Sequence, residues 1–224
     1  ANALSLSQLS PRLAKQITGI RGRQLVNELN GVCCFPLERA GKPQQSIMRG
    51  RQFGEDTGEP HVIEAAIVTL ASRAAAALRR DHQLTRSASI FLATNRHKPG
   101  YARTVRTVLF TTPTADTGTL CNELVDAFIG AQNSHAQYHR ADVILHNLVP
   151  EHGLQADLLG FVDIPASSRE QQRMQALDTI NDRYGKGHLY YAAEDLSKRW
   201  EPKRQLRSPR YTSAWDELPE ARII

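Results

Sequence analysis

The hydrophobic positions between residues 46 and 150 follow two periods in turn. Residues 46–53 alternate as a strand, whereas residues 60–80 repeat apolar side chains every three or four positions. The helical repeat forms one stripe, made of Ile63, Ile67, Leu70, Ala74 and Leu78. Strands are also predicted over 87–94, 102–111 and 140–148, and a second helix over 116–131.

This order, β-α-β-β-α-β, predicts an α+β fold. We expect a four-stranded antiparallel sheet with two helices on one face, because this order of elements is typical of α+β folds in which the helices pack on one side of the sheet. The other face of the sheet would then stay open to a partner.

The flanking segments follow other patterns. Residues 7–30 predict a helix that begins at Ser10-Pro11, ends at Asn30-Gly31 and breaks near Gly19 or Gly22. A helix over 168–182 and a strand over 188–193 predict a small α/β region at the C-terminal end. The predicted divisions are 1–38 (helical), 39–45 (linker), 46–150 (the module), 151–167 (linker) and 168–224 (C-terminal region).

Charge is distributed unevenly along the 224 residues, which carry a net charge of +5. Residues 82–115 contain no acidic side chain, and they form the predicted hairpin. Together with basic residues on neighbouring strands, this hairpin predicts a surface that neutralises phosphates without reading sequence; a merely solvated charged face is the alternative. The candidate residues are Arg49, Arg51, Arg86, Arg96, Lys98, Arg103, Arg106 and Arg140.

Two of these pairs differ in their expected placement. Arg49 and Arg51 share one face of their strand because the strand period is two, whereas Arg103 and Arg106 point to opposite faces. The hairpin alone therefore cannot form one flat basic patch.

Catalytic patterns are missing from the sequence. No clustered carboxylates or Walker-type loop indicates phosphoryl transfer. His135 and His139 are four residues apart and leave a small metal-dependent enzyme as the last-ranked alternative. The three cysteines are expected to be buried apolar side chains in a reducing compartment. No apolar run predicts a membrane span.

An acidic segment follows the module. Residues 151–164 carry three acidic and no basic side chains. Glutamine followed by large apolar residues at short spacing is typical of a peptide that inserts into a partner's groove, although these residues would also suit packing on their own domain. The residues concerned are Gln155, Leu158, Leu159 and Phe161.

Several stretches together resemble the little-finger domain and C-terminal region of UmuC-type Y-family translesion DNA polymerases. They begin with Gln45-Ser46-Ile47-Met48-Arg49-Gly50-Arg51-Gln52-Phe53-Gly54 and the helix from Glu64 to Leu78. Further stretches are Leu109 to Thr117, Tyr138 to Leu145, and the ending with Trp200, Lys203-Arg204, Ser208-Pro209, Tyr211-Thr212, Trp215 and Pro219. The resemblance runs in order from about Leu13 to the C-terminus.

The resemblance implies a role and partners. Residues 1–38 would be the end of a thumb, 46–150 a little finger that holds primer-template DNA, and 168–224 a UmuC-specific region. The clamp-binding peptide would fall at Gln155, Leu158 and Leu159, although Ala156 and Leu159 depart from the usual residues. Implied partners are DNA, the sliding clamp, a UmuD-like dimer and RecA.

The implied function is the DNA-holding, partner-recruiting portion of an error-prone SOS polymerase in the bacterial cytoplasm. We expect no nucleotidyl transfer from this chain alone and no cofactor, since the Mg²⁺-binding carboxylates of the family belong to a palm domain that precedes the matched region. The alternative is a protein-interaction module that recruits the clamp and accessory subunits without binding DNA directly.

Overall fold

The computed structural model describes residues 2–37, 44–131, 136–151, 164–194, 199–202 and 208–219. In the helix that begins at residue 164, side chains are described only from residue 169 onward. Its contacts divide the chain into two compact units, Ala1–Pro43 and Gln44–Ile224. Residues 39–43 of the predicted linker and most of segment 151–167 lie outside the described residues.

The first unit contains two helices, α1 (Ala3–Ser7) and α2 (Pro11–Leu29). Ser10 caps α2 by accepting a hydrogen bond from the Leu13 amide at 3.2 Å, and Pro11 is the first helical residue, where it has no amide hydrogen to leave unpaired. Gly19, with φ 77° and ψ −163°, interrupts α2 in a conformation that glycine adopts without the cost of a Cβ. The expected break is therefore at Gly19, and the segment before Ser10 forms a separate short helix.

The second unit contains the predicted order of strands and helices, each with its own hydrophobic face. The elements are β1 (Ile47–Thr57), α3 (Pro60–Arg80), β2 (Gln83–Thr94), β3 (Arg103–Thr114), α4 (Thr117–Ile129), β4 (Tyr138–Pro150) and α5 (Ile164–Tyr184). The four strands form one antiparallel sheet in the order β1-β4-β2-β3. The predicted βαββαβ arrangement is confirmed.

The core lies between the sheet and helices α3 and α4. All five residues of the predicted α3 stripe are buried, and Leu120, Leu124 and Phe128 of α4 pack beside them. Asp116 caps α4 as expected, by accepting a hydrogen bond from the Thr119 amide at 2.8 Å. Both helices therefore cover one face of the sheet.

Helix α3 is long and apolar enough to cross a membrane when judged by length and composition alone, so the expectation that no segment reaches this limit was wrong. In the fold, 72% of its most apolar 18-residue window is buried. Its small and branched side chains face both the sheet and neighbouring helices, as in a central core helix.

The C-terminal region lacks the predicted strand over 188–193. In its place the side chain of Asn181 binds the backbone: Oδ1 accepts from the Gly187 and Leu189 amides at 3.1 and 3.0 Å, and Nδ2 donates to the Leu189 carbonyl at 2.8 Å. These backbone groups are thereby unavailable for a strand ladder, and a 3₁₀ turn, Ala192–Glu194, follows. The described part of this region is helical with turns, so the α/β prediction for it was wrong.

Three side chains that were predicted to be buried are at least partly exposed in the structure, namely Ile180, Cys33 and Cys34. Met174 of α5 is buried as expected, but Ile180 is 39% exposed because only one side of α5 meets the module. Cys121 is buried, whereas Cys33 is exposed and Cys34 half-buried, which corrects the expectation for the adjacent pair.

The C-terminal region docks on the module through a few specific contacts. Asp178 of α5 binds Arg79 of α3, and Arg173 binds the cap residue Asp116 at 2.6 Å. Trp200 is 1% exposed within the module's core, and its carbonyl accepts from the Gly54 amide of β1 at 3.2 Å. The region therefore completes the module's core.

Candidate nucleic-acid interface

No described helix or strand packs on the face of the sheet opposite to α3 and α4, which we call the open face. On β2, Ala88, Ile90 and Leu92 point into the core, so the alternate residues of this strand point to the open face. The register adds alternate residues from the neighbouring strands, and Met48, Val105 and Leu109 among them are exposed by 46%, 47% and 77%. Met48 lies on one edge strand of the sheet, and Val105 and Leu109 lie on the opposite one, so these side chains do not form one apolar patch.

One end of this open face is basic. Arg103 of β3 and Arg140 of β4 are both register partners of Ala93, on its two sides. They are therefore two strand spacings apart, or about 10 Å, with the small side chain of Ala93 between them. Arg96 and Lys98 lie in the loop that follows β2 at the same end. The fold thus brings four of the eight predicted basic residues to one place.

The loop between β2 and β3 is held by an ion pair that joins it to β1. Lys98 Nζ lies 2.7 Å from Asp56 Oδ2, and His139 Nδ1 lies 2.7 Å from Asp56 Oδ1. The hydrogen bond from Lys98 is the main cause that lowers the pKa of Asp56, and His139 adds to it. Asp56 therefore fixes the loop while it offsets part of its positive charge.

Arg140 is held in place by its neighbour on the same face. Its Nε donates to both carboxylate oxygens of Asp142, at 2.9 and 2.7 Å, and Asp142 is 1% exposed. Gly50 of β1 makes room for this carboxylate, since a Cβ at position 50 would overlap Asp142 Oδ1. The pair uses only Nε, so the terminal amino groups of Arg140, whose side chain is 43% exposed, have no partner among the described residues and can donate to an anion.

The other predicted basic residues lie elsewhere. Arg49 and Arg51 share a face, and their register partners Val143 and Ala141 place them on the helix-covered side. Arg106 pairs with the core residue Ile90 and is on that side too, at the outer edge of the sheet. Arg86 is exposed at a break in the register of β2. The eight residues therefore do not form a single patch.

A polar network at the centre of the open face was not predicted. Ser89 Oγ lies 2.8 Å from Thr107 Oγ1 and 3.1 Å from His146 Nε2, and Asn147 Nδ2 donates to Ser87 Oγ at 3.1 Å. The alternation of serines with Ala88 and Ile90 was the available signal. Ser87 and Ser89 are buried, whereas Thr107 and Asn147 are exposed, so the Thr107 hydroxyl and the Asn147 amide are the groups of this network that can contact a phosphate or sugar.

The remaining sequence-based candidates are either outside the described residues or engaged by other side chains. Gln155, Leu158, Leu159, Phe161 and His135 lie outside the described residues. His139 is engaged by Asp56, and within the described ranges no group of three or more His, Cys, Asp or Glu side chains could hold a metal ion. The described residues therefore contain no group of side chains that could bind the Mg²⁺ of the polymerases that the sequence resembles.

Comparison with known proteins gives two family matches. Residues 44–158 match the impB/mucB/samB family C-terminal domain, and residues 171–221 match a domain of unknown function (DUF4113). The first match includes the whole sheet and its two covering helices, and the second includes most of α5 and the Trp200 segment.

Curated relatives match nearly the whole chain. Protein SamB of Salmonella typhimurium is 31% identical over 99% of this chain and 52% of its own length. Protein UmuC of Salmonella typhimurium strain LT2 is 31% identical over 96% and 51%, and protein MucB of Escherichia coli 30% identical over 98% and 52%. The chain therefore spans about half the length of the curated relatives it matches.

Proposed function

Because the chain belongs to the impB/mucB/samB family of UmuC-type proteins, we propose that it holds DNA and recruits partners for an error-prone translesion polymerase in the SOS response. It would act in the bacterial cytoplasm, and the nucleotidyl transfer itself would not be its task. The observation that carries the proposal is the basic end of the open face, where Arg103 and Arg140 flank Ala93 beside the loop with Arg96 and Lys98.

The arrangement suits backbone phosphates better than base edges. The two arginines are about 10 Å apart at one end of the open face, and the serine, threonine and histidine network lies at its centre. Contacts of this kind position a duplex without reading its sequence, and they weaken with salt because bound counterions are released. We therefore expect binding to primer-template DNA that is insensitive to sequence.

Arg103→Ala is the direct test. Arg103 is exposed and has no ion pair among the described residues, whereas loss of Arg140 would also leave the buried Asp142 unpaired. We expect Arg103→Ala to weaken binding equally for unrelated sequences and to reduce the slope of log affinity against log salt by about 1. The measurement is fluorescence anisotropy of labelled primer-template DNA with the whole chain.

Arg106→Ala is the matched control, since it removes the same charge from the same strand but from the opposite face. Equal losses for the two variants would mean that binding depends on net charge and not on the open face. Absence of any salt-dependent DNA binding by the wild-type chain would refute the DNA-holding proposal.

The second candidate is a protein-interaction module that does not contact DNA. It is favoured by the acidic segment 151–164 with Gln155 and its apolar neighbours, which would engage the sliding clamp. A UmuD-like dimer and RecA are the further proposed partners. Pull-down experiments with each partner, with and without primer-template DNA, distinguish the two functions, since only the first predicts that the chain alone retains DNA.

A further inference from the structure

A groove of about 730 Å³ lies on the helical side of the second unit, between α3, α5 and residues 186–194. Ala76, Leu177 and Tyr190 supply apolar wall, and Ala76 and Tyr190 are exposed to solvent. The volume is within the range of natural ligand pockets. This groove is remote from the basic end of the open face, since the sheet separates the two.

The walls of the groove are fixed by polar contacts beneath them. Arg79 of α3 binds Asp178 of α5 through two hydrogen bonds of 2.6 and 2.7 Å, and it also donates to the Ala115 carbonyl and to Thr117. Asn181 holds the backbone of the third wall through the three bonds described above. A site built in advance loses little conformational entropy when a ligand binds.

The rim of the groove carries excess positive charge. The groove is lined by Arg49, Arg80 and Lys186, and by Arg73, which pairs with Glu201 at 3.8 Å. The carboxylates of Asp182 and Glu194 oppose this charge, while Arg79 and Asp178 neutralise each other. Arg49 donates to the carbonyl of its own neighbour, Met48. Among the described residues, the sole acidic partner of Arg80 is the adjacent Asp81 at 3.8 Å, and Lys186 has none.

We propose that this groove binds an extended acidic peptide segment of a partner protein. One large apolar side chain of the peptide would pack on Ala76, Leu177 and Tyr190, and its carboxylates would lie near Arg80 and Lys186. Ala76 and Leu177 present an aliphatic wall to such a side chain, whereas a base would have only Tyr190 and the half-buried Tyr191 to stack on. The inference rests on the partner-recruiting part of the proposed function and not on DNA holding.

The test uses a fluorescein-labelled peptide, Gly-Glu-Asp-Leu-Phe-Glu-Asp-Gly, and the whole chain in an anisotropy titration. A control peptide has Ser-Ser in place of Leu-Phe. We expect saturable binding of the first peptide that weakens with salt, and at least about tenfold weaker binding of the control.

Three variants locate the binding. Ala76→Trp fills the groove from an exposed helix position and should abolish binding, while Lys186→Glu should weaken it by about tenfold. Arg183→Glu makes the same change of charge at an exposed residue of α5 that does not line the groove, and binding should be unchanged. Circular dichroism melts establish that each variant folds.

Four results would overturn the proposal that the groove binds an acidic peptide. Wild-type binding to a folded Ala76→Trp variant, equal losses for Lys186→Glu and Arg183→Glu, or no saturable binding of the peptide would each overturn the proposal. Tighter binding of an oligothymidine that competes with the peptide would overturn it as well, in favour of a nucleic-acid site. The titration contains no primer-template DNA, so its failure leaves the DNA-holding proposal standing.

Discussion

Trp200→Ala removes the largest side chain that the C-terminal region places in the core of the module. Trp200 is 1% exposed and packs within the cluster formed by the sheet, α3 and α4. Truncation of a buried tryptophan or phenylalanine to alanine costs about 3–5 kcal/mol of the free energy of unfolding, as lost transfer energy plus the cavity left behind.

The local contacts place the expected value at the lower end of this range. The indole Nε1 is buried without a hydrogen-bond partner among the described residues, and removal of an unpaired buried donor returns part of its desolvation cost. We therefore expect a loss of about 3 kcal/mol, which lowers the melting temperature by roughly 6–12 °C for a unit of this size.

The assay is thermal and urea unfolding of the whole chain, followed by circular dichroism. Trp215→Ala is the matched control because Trp215 is 89% exposed, and its loss should change the free energy of unfolding by less than about 0.5 kcal/mol. These are the two tryptophans of the chain, so each single variant also reports on the other by fluorescence. In Trp215→Ala, the remaining Trp200 emission should be blue-shifted and protected from iodide.

Equal melting temperatures for the Trp200→Ala and wild-type chains would refute the reasoning. So would iodide quenching of Trp200 as strong as that of Trp215. Either result would mean that the segment around Trp200 does not contribute to the core in solution.

Two further predictions concern the open face. Gly50→Ala forces a Cβ into the Asp142 carboxylate, so we expect a loss of about 1–3 kcal/mol in urea unfolding, and a cost near zero would contradict the close approach. Asp56, whose pKa is lowered chiefly by the hydrogen bond from Lys98, should add stability above its ordinary pKa of 3.8 and lose that contribution as the pH falls through its lower folded-state pKa. Asp56→Asn should therefore flatten the acid limb of unfolding midpoints measured from about pH 2 to pH 6, and an unchanged acid limb would contradict the ion pair.

The periodic parts of the fold were predictable from the sequence because their signals are local. The α3 stripe from Ile63 to Leu78 repeats at the helical period, and every member of it is buried in the core. Asp116 and Ser10 cap helices through bonds to residues only three positions away, so the nearby sequence suffices to identify them. The strand order along the chain then restricts the sheet to a few topologies.

The faces of the basic residues were only partly predictable. Alternation placed Arg49 with Arg51 and separated Arg103 from Arg106, as the register has them. Ile47 and Phe53 share the face of Arg49 and Arg51 and are buried, but two arginines between them make the covered side of β1 ambiguous by alternation alone, and the pairing with β4 decides it. The role of these arginines in DNA binding stays a prediction.

The sequence by itself determined the elements, their order and the family resemblance, because propensity, period and motif act over a few residues. Only the tertiary structure decided that Asp56 neutralises part of the acid-free hairpin, that Asn181 replaces a predicted strand with a turn, and that Trp200 enters a distant core. Each of these depends on side chains brought together by the packing of the sheet and helices. Their energies come from burial and charge proximity in three dimensions, which spacing along the chain does not encode.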